Sequence, residues 1–264
     1  SMTRHRDGAQ LYAGRDEFKD GKALSSRLSR AGMKETTLDY TSDFAERRAV
    51  YGGHLTTLRN TLAGQALPGD NRIYPAAPGL GKRIWQATFS VDGGIKAGRD
   101  GDGLLLSRTQ PRPKDSPQAS LADLQLPIIE AYLANLPHGT PPRILASRSV
   151  FVADDRTQAR AFAETGLRKV ARHFQAAGHV FQGDTLEDLI AAMDTHVGTP
   201  DEVAASLAAD RVLDHATEIA VQVHSVDPPH EFILRSIELF ATRVAPALGW
   251  IDAAQPVLLR AAAV

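Results

Sequence analysis

The sequence predicts an α/β fold with a parallel sheet, and three observations predict it. Four apolar runs of strand length, at about 83–90, 102–107, 143–152 and 217–223, are separated by stretches of helical periodicity. That alternation gives parallel pairing through right-handed crossovers. The pattern G-x-G-x-x-G after a first strand is absent, which argues against a dinucleotide-binding doubly wound sheet. Short strands whose crossovers carry extra helices suit part of a (β/α)8, or TIM, barrel instead.

Composition narrows the class. The chain has 264 residues, 43% hydrophobic and 23% charged, which is ordinary for a globular protein. A formal net charge of -1 points to no nucleic-acid partner. The absence of cysteine removes disulfides, thiolate metal sites and thiol nucleophiles. No apolar run approaches the ~20 residues that span a bilayer and no signal peptide is evident, so no membrane partner and a cytoplasmic setting are expected. Ser1 stands before Met2, which reads as a start methionine.

Residues 1–40 read as a polar N-terminal arm or remnant, punctuated by glycine turns, and 41–264 as one barrel-type domain. Thr41-Ser42-Asp43 can cap a helix over 44–62, with Phe44, Tyr51, Leu55, Leu58 and Leu62 on one face. Residues 64–82, rich in proline and glycine, form a loop to the first strand. That strand, Arg83–Ser90, meets a small-residue helix, and Asp102–Ser107 is the second strand. The connection 108–117 holds three prolines and stays extended. A helix is expected over 119–136, then the third strand, then a long helix from Asp154-Asp155 to about 177 with Ala159, Phe162, Val170 and Phe174 buried. Residues 184–196 and 200–213 read as two helices, the second with Thr199 as N-cap, Pro200 at the first helical position and Asp201 and Glu202 in the first turn. The fourth strand at 217–223 leads through a loop to a last helix over 230–248.

The chemistry concentrates at the end of the first strand. Thr88-Phe89-Ser90-Val91-Asp92-Gly93-Gly94 places hydroxyls and glycines before a helix, where N–H groups and the helix dipole favour a phosphate. Local chemistry alone favours the plainer reading, an ordinary N-cap. Trp85 reads as core packing ahead of ring stacking. His224 and His230 flank Asp227 after the fourth strand, where His224 would suit acid–base work; a metal site there would need a third ligand, for which Asp227 is the only nearby candidate. His173, His179 and His196 read as surface residues.

Ile84–Ser90, Ala97-Gly98 with Gly101–Arg108, and Val197–Val203, in this order, resemble the bacterial luciferase-like family of flavin-dependent monooxygenases. The resemblance covers about 42–248. It implies a TIM barrel, reduced FMN (in some branches a deazaflavin) as cosubstrate, O2, a small organic substrate and a flavin reductase as partner. It implies that the phosphate sits on Thr88, Ser90, Val91 and Gly93, with Gln86 aimed at the flavin ring and Arg108, Thr109 and Gln110 against flavin or substrate. Arg108 also reads as a plain solvated arginine. The family has four strands ahead of the helix corresponding to 44–62, where this sequence has about forty polar residues. A partial barrel of about four C-terminal strands is therefore expected, with the catalytic residue unassigned and a homo-oligomer covering the open face. Two functional readings follow: a monooxygenase, and a non-catalytic flavin-binding or structural relative.

Overall fold

The computed structural model describes residues 44–113, 115–176, 183–223 and 226–250. They fall in two compact units, one ending at Pro78 and the other beginning at Gly79. The arm expected over 1–40 and the cap at 41–43 lie outside the described residues.

In the first unit, α1 spans Phe44–Leu62, the range that the periodicity predicts. Its buried face is narrower than predicted. Leu55 and Leu62 are buried, whereas Tyr51 is 49% and Leu58 46% exposed.

The second unit is a parallel sheet dressed with helices. Its elements are β1 (Trp85–Ala87), α2 (Val91–Arg99), β2 (Gly103–Leu106), α3 (Leu121–Ala134), β3 (Ile144–Val152) and α4 (Arg156–Ala176). They continue as α5 (Leu186–Ala192), β4 (Thr195–Gly198), α6 (Pro200–Ala208), β5 (Glu218–Gln222) and α7 (His230–Leu239). The last helix runs on through a π-helical turn, Phe240–Val244, to Ala247.

Every strand pairing is parallel. β1 pairs with β2 and β2 with the first half of β3. Leu145 and Ala146 pair with both β2 and β5, so those two strands lie on opposite edges of β3. Ser149 pairs with both Thr195 and Gln222, which puts β4 on the β2 edge, beyond the end of β2. Hence β1, β2, β3 and β5 form the predicted series of four parallel strands. Among the described residues no strand closes it into a barrel, so the partial α/β barrel expected from the sequence is what the chain adopts.

β4 is a correction: the sequence reads 184–196 as helix, but α5 stops at Ala192. Asp194 takes a left-handed φ of 47°, which ends the helix and turns the chain into a strand. The Thr199 cap is as predicted. Its hydroxyl accepts from Glu202 N, and Glu202 Oε2 accepts from Thr199 N at 3.0 Å.

Strand alternation sorts the core. Leu104, Leu106, Ile144 and Ala146 face the helices and pack with Ala97, Ile128, Ile129 and Tyr132. Val150 and Val152 meet Val203, Leu207, Leu239 and Val244 on one side of β3. Phe151 meets Ala159, Ala163 and Leu167 on the other. Glycines let α2 approach α3: a Cβ on Gly94 would lie 2.6 Å from Ile128 O, and one on Gly98 2.5 Å from Tyr132 O.

Candidate functional site

The turn between β1 and α2 sits at the C-terminal end of the parallel sheet, where open α/β sheets and barrels hold ligands. Ser90 is the N-cap of α2, in extended backbone, and its Oγ accepts from Gly93 N at 3.2 Å. Ser90 N donates to Thr88 Oγ1 at 3.1 Å. Thr88 packs so tightly on Gly93 that a Cβ there would lie 1.9 Å from its Oγ1. Gly94 N is taken by Ser90 O at 3.1 Å. Val91, the first helical residue, is 43% exposed, and helix geometry gives its N–H no intrahelical acceptor.

The loop after β2 closes on this turn. Gln110, 9% exposed, donates from Nε2 to Phe89 O at 3.1 Å. Arg112 holds that loop through Gln110 O (2.7 Å), Ala119 O (2.9 Å) and Asp194 Oδ1 (2.6 Å). Burial pushes the Asp194 carboxyl above the usual range, against the hydrogen bond from Arg112. Arg108 Nη1 donates to the buried Ser149 Oγ at 3.1 Å, so it is a half-buried residue bridging to β3 rather than a loosely solvated one. Thr109 N donates to Ser107 Oγ at 3.4 Å.

The structure therefore brings Thr88, Ser90, Val91, Gly93 and Gln110 together, with Arg108 on the same loop as Gln110. Gln86 departs from expectation. It pairs with Leu104, whose side chain faces the helices, so alternation turns Gln86 the same way. Its Nε2 donates to Asp100 Oδ2 (2.9 Å) and Asp102 Oδ2 (2.7 Å), and the residue is 4% exposed. Trp85 packs over Gly103, with Arg143 Cζ 5.0 Å from its ring centroid.

The histidines are placed differently from one another. His196 lies on β4, half-buried, with Nδ1 2.8 Å from Ser206 Oγ, and burial holds its pKa down to about 4. The surface reading of His196 is thus corrected. His230 opens α7 and is exposed, while Asp227 accepts from Lys169 Nζ at 2.5 Å. His224 and His179 lie outside the described residues. Among the described residues no three metal-ligating side chains converge, and no helix is long and apolar enough to cross a membrane.

Arg148, which the sequence pattern does not single out, is fully buried. It donates to Asp210 Oδ2 (2.5 Å), Ser147 O (2.7 Å) and Gln125 Oε1 (3.2 Å), and Gln125 in turn donates to Ser107 O at 2.8 Å. An arginine inside the apolar run 144–152 was the available signal.

Comparison with known proteins places the fold. The chain is similar to the monooxygenase RslO1 from Streptomyces bottropensis, with a TM-score of 0.57 and 23% identity over 80% of this chain and 64% of that one. The chain thus spans less than two thirds of that structure's length. At this identity the likeness is one of fold, and it agrees with the resemblance read from the sequence: the chain shares the fold of that monooxygenase. Apo-MsnO8 aligns at a TM-score of 0.48 and 19% identity, over 77% of this chain and 61% of its own, too low to add to that argument. No known family signature matches the chain. A stretch of 103 residues is 34% identical to the conjugal transfer protein TraA of Rhizobium radiobacter, covering 36% of this chain and 9% of that protein.

Proposed function

We propose that the chain is a luciferase-like flavin monooxygenase that seats the phosphate of FMN on the β1–α2 turn. The observation that carries this reading is the turn itself, on a fold shared with a monooxygenase. Ser90 Oγ accepts from Gly93 N and lies 3.4 Å from Thr88 Oγ1, so its proton can turn from that long contact to a phosphate oxygen. Val91 N–H and the positive end of α2 add to that, and the glycine at 93 keeps the surface shallow. Asp92 carries like charge in the first turn, so the fit rests on aimed donors rather than on net positive field.

Each remaining residue has a task in this reading. Gln110 holds Phe89 O and so fixes the peptide leading into Ser90. Arg108, anchored on Ser149, supplies a cation at the C-terminal end of the sheet, toward flavin or substrate. Gln86 is left out, because its amide is committed to Asp100 and Asp102. Bound reduced FMN would supply the two electrons that take one oxygen atom of O2 to water while the other enters a small organic substrate, and a separate flavin reductase would regenerate the reduced flavin in the cytoplasm. FMN is proposed ahead of a deazaflavin.

Titration with FMN and with riboflavin, followed by flavin fluorescence, tests the reading. Saturable FMN binding at least tenfold tighter than riboflavin binding supports phosphate recognition, and equal affinities or none remove it. A second reading, flavin binding without catalysis, is favoured by the sheet left open among the described residues. Stopped-flow reoxidation of reduced FMN separates the two, since a catalyst changes the rate and an inert binder leaves it at the value without protein.

A further inference from the structure

The strands of the second unit stop half-way round a barrel. No described strand pairs with the outer edge of β1 or of β5. Their stagger is nonetheless that of a barrel. The lateral row from Ala87, the last residue of β1, runs through Leu105 and Leu145 to Glu218, the first residue of β5. In a closed eight-stranded barrel of shear 8 such a row slips by about one residue per strand, so by about four in half a circuit. The next strand, if it repeated β1, would set position 83 beside Glu218 and position 87 beside Gln222.

We propose that a second copy of this chain supplies that strand: two copies close one eight-stranded barrel about a two-fold axis, each β5 pairing in parallel with the other's β1. One rotation satisfies both open edges of both copies. The charges match in this register: Arg83, the last residue of the 3-10 turn Pro78–Arg83 that leads into β1, comes beside Glu218 of the partner subunit, the first residue of β5. Both residues are exposed, and neither has an ion-pair partner among the described residues. Opposite charges brought side by side attract. The concave face matches as well: Trp85, Leu105, Leu145 and Ala220 lie on it half-buried and Ala87 exposed, so closure removes apolar surface from water.

The chain has no cysteine, so introduced thiols report the register directly. The double variant Ala87→Cys with Gln222→Cys is expected to give a disulfide-linked dimer on a non-reducing gel. Either single variant, or Ala87→Cys with Glu218→Cys, is expected to run as a monomer there. Sedimentation of the unaltered protein at micromolar concentration is expected to give the dimer mass. Glu218→Arg should weaken that dimer at least tenfold, and adding Arg83→Glu should restore it. A monomer in sedimentation overturns the proposal, and so does a dimer whose 87/222 pair fails to cross-link.

Discussion

Ser90 and Gly93 show how tightly one short turn is packed. Gly93 has no room for a side chain: its Cβ would lie 1.9 Å from Thr88 Oγ1 and 2.5 Å from Thr88 Cβ, neither a flexible tip. Gly93→Ala is therefore expected to cost about 1–3 kcal/mol of stability, read as a lower urea midpoint at unchanged slope. His196 makes a second prediction at this scale. Its pKa is held at about 4, below the ordinary 6.5, because burial disfavours the charged ring. The unfolded chain then binds a proton that the folded chain refuses, so stability falls as pH drops from 6.5 toward about 4. Above that window the contribution is fully present, and the loss across it is at most about 3 kcal/mol. His196→Asn should shrink the difference in urea midpoint between pH 7 and pH 4.5 relative to the parent protein.

At the scale of elements, the Arg148 network ties β3 to α3 and to Asp210 beyond α6. The guanidinium is wholly buried and the Asp210 side chain 11% exposed. Arg148→Met should cost about 3–5 kcal/mol, because it leaves a largely buried carboxylate uncompensated. Adding Asp210→Leu should recover most of that loss in the same unfolding experiment, since an apolar pair of similar volume replaces the ion pair. The sequence makes such elements only partly legible. β3 and β5 are plain because their apolar runs have strand length and turn residues on both sides. β4 is hidden because Leu186–Met193 has helical periodicity, and nothing local announces the left-handed backbone at Asp194. Arg148 is hidden for a different reason: its partners Gln125 and Asp210 lie 23 and 62 residues away, and pattern reading sees only neighbours.

At the scale of the molecule, parallel order follows from the alternation of strands and helices, and the chain adopts it. The site is legible where a local rule applies. The Ser90 cap and the glycines of α2 can be read from spacing, whereas the direction of Gln86 depends on which face of β1 meets the helices, and that is set by packing against β2. Gln110 escapes local reading too, since its contact with Phe89 O spans 21 residues. The central claim is that the β1–α2 turn holds a flavin phosphate, and Ser90→Asp tests it most directly. Aspartate caps a helix as well as serine does, so the unfolding midpoint should hold. The substitution nevertheless removes a donor and sets like charge against the dianion, and losing a charged hydrogen bond alone costs about 1.5–3 kcal/mol. The measurement is FMN affinity by fluorescence titration of parent and variant: at least a tenfold loss in a stably folded variant is expected, and FMN bound as tightly as by the parent would contradict the claim.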